Sequence, residues 1–407
     1  AFEGPKDALP KPFNAPPVTL NFVENPVPQG VPEPRWSHAH GAVVRRWAEA
    51  GLENGSLEPS QSAWASRPHV VLKPPSGETA SSAKIDDCKL RVCGDYRMAN
   101  TQIDKLVPNL PTGTHQMEQA AGYTWYFESD SVACYSSFRL AAGASREALA
   151  IWTPMGLVQP TVLPFGQKNS GTEAQGPYRN AARALTQLSN YVDDWLGYAN
   201  DIEELLDNFD KFLAVCVEND ITLNTHKTRF GYHEANFFGF TVDKDGSHLA
   251  AKHLDPLFTL VPPSDIPELR RVLGLFVVSR KYIQNYAMIS KPMTDVLRGR
   301  QPLFRWEEAQ QTSFDTIRDL LLAGVHLAAP DYTLPFHLAT DASEEGKGAM
   351  LYQLPTIPIE KQYPYSPRTH SADNVAVVQF FSKAWTDAQR ARPPFYLEAD
   401  GLLWAQE

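Results

Sequence analysis

Residues 190–220 constrain the fold more than any other stretch. "NYVDDWLGYA" (190–199) is a pair of short aromatic segments around two carboxylates, which reads as a tight hairpin with Asp193 and Asp194 at its turn. Directly after it, "DIEELLDNFDKFLAVCVEND" (201–220) sets Ile202, Leu205, Leu206, Phe209, Phe212, Leu213 and Cys216 at three- and four-residue steps. That spacing gives one apolar helix face, and Asp201 with Glu204 three residues on supplies the cap. Strand and helix signals both recur along the chain, so a mixed α+β class is expected.

The chain on either side has a readable order. Residues 1–34 hold nine prolines without a period and predict an extended arm or linker rather than core. "WSHAHGAVVRRWAEA" (36–50) predicts a helix, and "SRPHVVLKPPSG" (66–77) and "KLRVCGDYR" (89–97) predict strands; 78–88 between them is small and polar, a surface excursion. "YTWYFESDS" (123–131) reads as a strand ending at Asp130, and 148–166 as strand, turn and strand. A helix is expected over 173–188, with Gly176 and Pro177 near its start, and a single hairpin over 236–250 turning at Asp245-Gly246. Ser264 or Asp265 caps a helix over 268–283 with Pro267 in its first turn. Near residue 334 "PFHLATDASEEGKGAMLYQL" opens a new domain, and "LEADGLLWAQE" (397–407) is the beginning of a helix.

Composition narrows the function classes. No run of about 18 apolar residues exists to span a membrane. Four cysteines in 407 residues, with no C-x-x-C pair, exclude a disulfide scaffold and point to a reducing interior. His38-x-His40 and Cys88-x4-Cys93 do not fit a zinc-knuckle spacing. The net charge of −10 argues against nucleic acid at first sight, but six of the ten excess negative charges fall in residues 301–407. The first 300 residues are near neutral, so bulk charge decides nothing. The start at Ala1 without a signal pattern suggests a processed product or a fragment.

Asp130 at a strand end and the Asp193–Asp194 pair about sixty residues later form the main chemical constellation. Phosphoryl transfer between nucleotides uses two divalent cations about 4 Å apart, and carboxylates from neighbouring strands can bridge them. Magnesium prefers oxygen ligands and keeps several waters, so few carboxylates suffice. An acidic turn alone is a weak signal. Its ordered context is what raises it.

That context resembles the reverse transcriptase–ribonuclease H region of gypsy-class LTR retrotransposon polyproteins, over roughly residues 36–407. The strings carrying the resemblance include "AGLENGSLEPSQSAWASRPHVVLK" (50–73), "LRVCGDYRMANTQI" (90–103), "YFESDSVACYSS" (126–137), "LPFGQKNS" (163–170), "YVDDWLGYAND" (191–201), "NFFGFTVDKDG" (236–246) and "PDYTLPFHLATDASEEGKGAMLYQ" (330–353). The resemblance implies a right-hand polymerase: an N-terminal arm (1–35), fingers and palm (36–250), thumb and connection (251–333), and the start of a ribonuclease H-like α/β domain (334–407). It implies Asp130, Asp193 and Asp194 as catalytic ligands for two Mg2+ ions, with Mn2+ as a substitute. Tyr135 matches a steric gate against the ribose 2′-OH, or is an ordinary packed tyrosine. Lys73 and Arg91 match fingers contacts to the triphosphate, Phe165 and Gly166 the floor of the nucleotide pocket, and Lys227 the lysine that protonates pyrophosphate. Phe237, Phe238 and Gly239 match the primer grip, although the phenylalanines equally suit a core. Arg270, Arg271, Arg280 and Lys281 are candidates to track phosphates.

Asp341 and Glu398 match the first two acids of a ribonuclease H metal site. The chain stops at Glu407, before the further aspartates such a site needs, so ribonuclease H cleavage is not expected. Four departures count against full activity: the 78–88 insertion, Cys134 in place of a glycine, the polar "QLSN" before Tyr191, and Gly176-Pro177 inside a helix. No Asp-Thr/Ser-Gly protease string or integrase zinc motif occurs within these residues. The resemblance implies RNA template, DNA primer or RNA/DNA hybrid and dNTP as partners, with self-association or a larger assembly open and no membrane. It places the protein in cytoplasmic retroelement particles and the nucleus. The rival expectation is an inactive, retroelement-derived scaffold subunit. A group II intron or telomerase-like polymerase is disfavoured by the "FHLATDAS" string, since those lack an appended ribonuclease H.

Overall fold

The computed structural model describes residues 9–73, 89–107, 110–299, 302–357 and 374–406. The chain divides into two units, Ala1–Thr112 with Tyr126–Tyr232, and Gly113–Trp125 with His233–Glu407.

The first unit begins with the extended arm, and the arm is part of the core. Phe13, Val18 and Leu20 are buried. The Phe13 N–H donates to Ser137 O (2.9 Å), the Val18 N–H to Arg139 O (2.7 Å), and the Phe13 ring lies 5.1 Å from Phe138 and 5.3 Å from Tyr178. Extended proline-rich backbone has no internal hydrogen bonds, so its remaining polar groups pair with the neighbouring chain and its few apolar side chains turn inward. Helix α1 (His38–Glu53) is capped by Ser37, whose Oγ accepts the His40 N–H. Strand β1 (Leu57–Pro59) follows, then the antiparallel pair β2 (Pro68–Lys73) and β3 (Lys89–Gly94), and α2 (Arg97–Gln102). Helix α3 (Gly113–Ala120) belongs to the second unit.

Strand β4 (Trp125–Asp130), a 3-10 turn at Cys134–Ser137 and α4 (Ala144–Glu147) lead to β5 (Ile151–Thr153) and β6 (Gly156–Pro160), which join β1 in a sheet ordered β1-β6-β5. Helix α5 runs over Ser170–Ala181, not 173–188, with Pro177 in its interior rather than near its start. The helix begins three residues earlier than the apolar pattern suggests. Strands β7 (Leu188–Tyr191) and β8 (Asp194–Ala199) make the hairpin, α6 (Ile202–Glu218) follows, and β9 (Arg229–Tyr232) completes a sheet ordered β7-β8-β4-β9. Asp201 Oδ1 accepts the Glu204 N–H at 2.7 Å, as its spacing predicts. The α6 face meets this sheet through aromatic contacts: Phe127 stacks on Phe212 (5.4 Å) and meets Phe209 edge-on (4.9 Å), while Trp195 lies 5.1 Å from Phe212. Phe127, Phe212 and Trp195 are fully buried, and each contributes about 1.5–3 kcal/mol.

In the second unit β10 (Glu234–Phe237), β11 (Phe240–Asp243), β12 (Gly246–Leu249) and the later β13 (Leu327–Ala328) form one antiparallel sheet in that order. Two hairpins therefore occupy 234–249 where one was expected. The first turns at Phe238 (φ 53°) and Gly239 (φ 84°), the positive-φ pair of a primed turn. The second turns before Gly246, where a Cβ would lie 2.0 Å from Leu327 O, so only glycine lets β13 approach. Helices α7 (Ala251–Phe258) and α8 (Ile266–Val278) come next; Asp265 Oδ1 caps α8 by accepting the Glu268 N–H at 2.7 Å. Short helices α9 (Tyr286–Ile289) and α10 (Lys291–Asp295) precede α11 (Glu308–Leu322), whose N-terminus is closed by a Glu307/Gln310 capping box. A meander of β14 (His337–Ala342), β15 (Gly346–Gln353) and β16 (Ala376–Ala384) follows, with α12 (Asp387–Arg390) and then α13 (Pro394–Gln406), which packs on β14 and β15. No helix among the described residues is long and apolar enough to cross a membrane.

Candidate active site

Asp130 is the last residue of β4, and β8, which opens at Asp194, is its neighbour in the sheet. The Ser131 N–H donates to Asp193 O at 2.7 Å, the Trp195 Nε1–H donates to Ser131 Oγ at 2.8 Å, and the Asn224 N–H donates to Asp130 O at 2.8 Å. These bonds fix the strand end against the hairpin turn. The Asp130 side chain is 17% exposed, and Asp193 and Asp194 are exposed. The charges converge on one buried group: burial pushes the Cys134 thiol up to about 12, a hydrogen bond with Tyr178 opposes the rise, and the Asp193 and Asp130 carboxylates add to it.

The turn itself is strained. Tyr191 pairs with Asp194, leaving Val192-Asp193 as a two-residue loop, and Val192 has φ 52°. A β-branched residue rarely adopts that conformation, which costs on the order of 1–3 kcal/mol. Two buried amides hold it in place. Gln175 Oε1 accepts the Val192 N–H at 2.7 Å; Gln175 Nε2 donates to Asn190 Oδ1 at 2.8 Å; Asn190 Nδ2 donates to Val192 O and Asp194 O, both at 3.2 Å. Sequence inspection missed both residues. The only available signal was a glutamine within an otherwise small-residue helix stretch.

Lys227, about one hundred residues from Asp130, places its Nζ 2.6 Å from Asp130 Oδ2. Its backbone N–H donates to Asn224 Oδ1, so the same residue that ties down Asp130 also sets the lysine. Tyr135 meets Phe165 edge-on at 5.1 Å. Burial, then the Cys134 thiol and the Asp193 carboxylate, hold its phenol above the usual value. The Phe165-Gly166 loop is stitched to the region after β3: Asn100 Nδ2 donates to Gly166 O at 2.9 Å, and a Cβ at Gly166 would lie 2.7 Å from Gly94 O. Val71 pairs with Arg91 in the β2–β3 ladder, but the side chains of Lys73 and Arg91, like the whole 78–88 stretch, lie outside the described residues.

In the second unit Phe237 is buried and Phe238 half-buried, their rings edge-on at 4.6 Å; Phe238 abuts Gly113 at the start of α3. Arg270, Arg271 and Arg280 are exposed, whereas Lys281 is only 7% exposed. Its Nζ lies over the Tyr282 ring (5.3 Å) and the Phe240 ring (5.5 Å) and 3.9 Å from Glu118, so it cannot track phosphates as expected. A lysine stem shields apolar surface as readily as it reaches solvent. Asp341 lies on β14 opposite Gly348, and Glu398 on α13; both are exposed. The α13 face toward the sheet instead carries Gly401, beside Ala342 and Lys347, and Asp400, whose Oδ2 lies 2.6 Å from Lys347 Nζ.

The donor set of Asp130, Asp193 and Asp194 is all oxygen, part exposed and anchored through backbone, which fits magnesium. The Lys227 ammonium at Asp130 shows the carboxylate accepting a cation at that point.

A family profile described as "Reverse transcriptase (RNA-dependent DNA polymerase)" matches residues 84–242, and one described as "RNase H-like domain found in reverse transcriptase" matches 306–361. The chain is 27% identical over 378 residues to the retrovirus-related Pol polyprotein from transposon gypsy of Drosophila melanogaster, covering 87% of this chain and 34% of that protein. It is also 27% identical over 325 residues to the polyprotein from transposon opus of the same fly, covering 76% of this chain and 31% of that one. The chain thus spans about a third of the curated relatives it matches. In fold it is similar to the foamy viral protease-reverse transcriptase in complex with double-stranded DNA (TM-score 0.83, 17% identity, all of this chain and 66% of that one). The same viral protein in complex with an RNA/DNA hybrid gives 0.81 at 16% identity, over all of this chain and 51% of that one. The two profile matches in order, the transposon relatives and the mixed α+β fold agree: the chain carries a reverse transcriptase domain followed by an RNase H-like domain, and it is similar to the gypsy-class retrotransposon polyproteins.

Proposed function

We propose that this chain copies RNA and DNA templates into DNA, joining a deoxynucleotide to a primer 3′-OH with release of pyrophosphate. One observation carries the reading. Asp130 and the Asp193 turn, distant in sequence, are bound together by the Ser131 N–H to Asp193 O bond. Asp130, Asp193 and Asp194 would hold two magnesium ions, or manganese in their place, which supply an activated primer oxygen and neutralise charge on the leaving group.

The remaining roles belong to side chains. Lys227, released from Asp130 Oδ2, has its ammonium ready to give a proton to a pyrophosphate oxygen. Tyr135, braced by Phe165, sits as a wall against a ribose 2′-OH, and the Phe165-Gly166 loop forms the floor beneath the nucleotide. Arg91 and Lys73 neutralise the triphosphate, and Phe237, Phe238 and Gly239 hold the primer end. Template, primer, hybrid and dNTP are the partners of this reading, with work in cytoplasmic particles and the nucleus. Asp341 and Glu398 contribute two acids of a ribonuclease H-like site, and cleavage is not assigned to them alone.

The test is primer extension on an RNA template with magnesium. Asp193→Asn should lower the rate by at least roughly 100-fold, the scale of losing one group that stabilises transition-state charge. Extension by that variant at the parent rate would end the assignment. The inert-scaffold reading is favoured by one feature, the Lys227 ammonium already seated on Asp130. It predicts no extension by the parent protein on either template.

A further inference from the structure

Three donor residues that no local motif links meet on one face of the second unit's four-stranded sheet. Thr241 on β11 pairs with His248 on β12, and Asp243 shares the Thr241 face two residues on. On the other side of β12, Gly246 pairs with Ala328 and Ser247 with Leu327, so one further step of the register sets His248 opposite His326. The two imidazoles are 5.6 Å apart between ring centres. Asp243 Oδ1 lies 3.5 Å from His326 Nε2 and Asp243 Oδ2 lies 3.8 Å from His248 Nδ1. One ligand atom from each residue falls within 4.8 Å of the others.

We infer that Asp243, His248 and His326 form a binding site for a divalent transition-metal ion of the zinc class, fastening β11, β12 and β13 together. The carboxylate–imidazole separations of 3.5 and 3.8 Å approach those of a ligand shell. Tetrahedral zinc with nitrogen and oxygen ligands near 2.0–2.1 Å keeps its donors about 3.3–3.5 Å apart. Two imidazoles and a carboxylate suit zinc better than magnesium, which prefers oxygen alone. The second observation is His248 Nδ1, which is shielded from solvent and has no hydrogen-bond partner while facing the carboxylate. A buried polar nitrogen left so is penalised, and a cation bound there removes the penalty.

The carboxylate is also pre-set. Asp243 Oδ1 accepts the N–H groups of Asp245 and Gly246, both at 2.9 Å, and the Asp243 carbonyl accepts the Gly122 N–H at 2.9 Å. Such outer bonds orient metal ligands and sharpen affinity. His326 is exposed and His248 and Asp243 half-buried, so an ion has an entry path and a fourth position for water. Because β11 also carries the Phe238-Gly239 turn, an ion here would brace that hairpin. The inference does not rest on the polymerase assignment.

The test uses the full chain, stripped with chelator, exchanged into excess magnesium to saturate oxygen-only sites, and titrated with Zn2+ and with Co2+. One zinc per chain by elemental analysis, a tetrahedral-type Co2+ absorption band and a raised thermal midpoint are expected. His326→Ala removes an exposed side chain and should weaken zinc binding by more than about 100-fold, the upper range for losing even an outer partner. His326→Cys should restore binding with an altered cobalt spectrum. Absence of stoichiometric zinc on the parent, or binding as tight as the parent's by His326→Ala or Asp243→Asn, overturns the site.

Discussion

Replacing Gln175 by leucine separates the support of the acidic turn from the acids themselves. Gln175 is 1% exposed and makes three bonds: it accepts from the Val192 N–H at 2.7 Å and donates to Asn190 Oδ1 at 2.8 Å and Asn190 O at 3.2 Å. Leucine fills nearly the same volume but pairs with none of them. The Val192 N–H then loses its acceptor inside the protein, at about 1–3 kcal/mol, and the lost amide bonds to Asn190 add about 1 kcal/mol. The expected destabilisation of the first unit is therefore about 2–4 kcal/mol. Val192 stands at φ 52° only because these amides over-determine it, so the turn should relax and carry Asp193 with it. Urea unfolding followed by tryptophan fluorescence reads the first effect, and amide exchange across 188–199 the second. A stability within about 0.5 kcal/mol of the parent, with Val192 exchange unchanged, would refute the argument.

Two other substitutions probe the second unit. Burial pushes Lys281 down to about 8, with Glu118 opposing, against an ordinary value near 10.5. Below pH 8 both folded and unfolded chains hold the proton; between about 8 and 10.5 only the unfolded chain does, so stability should rise with pH across that window. Lys281→Met should abolish that rise and add up to about 3 kcal/mol at pH 7, and an unchanged pH slope in a chemical-denaturation series would count against it. Asp400→Ala strands Lys347, 3% exposed between Trp385 and Trp404 at 5.0 Å each, at a cost of about 2–4 kcal/mol discounted for the partial exposure of Asp400. The double variant with Lys347→Met should recover most of the loss, and equal melting of single and double variants would be the contrary result.

Local signals were legible where one segment carries its own pattern. The apolar steps of 202–216, the Asp201 and Asp265 caps and the Asp193–Asp194 hairpin all follow from residues a few positions apart. Features spread over distant segments were not. Phe13, Val18 and Leu20 reach the core although prolines around them suppress any period. Lys281 reads as a solvated cation because nothing in "SRKYI" reveals the Phe240 ring beneath it, or that it folds over its neighbour Tyr282. Asp243, His248 and His326 carry no recognisable spacing, since only sheet register makes them neighbours. The strained Val192 is partly of this kind: Asn190 stands two residues before it on β7, but Gln175 comes from α5.

The central claim is that Asp130 and Asp193 act as one cation-holding pair, and Mn2+ binding tests it most directly. Manganese titrated into the His326→Ala protein with primer–template and dNTP, followed by electron paramagnetic resonance, should show two tightly held ions per chain. Asp130→Asn in the same background should lose at least one of them. Two ions retained after that substitution, or none bound by the starting protein, would contradict the account.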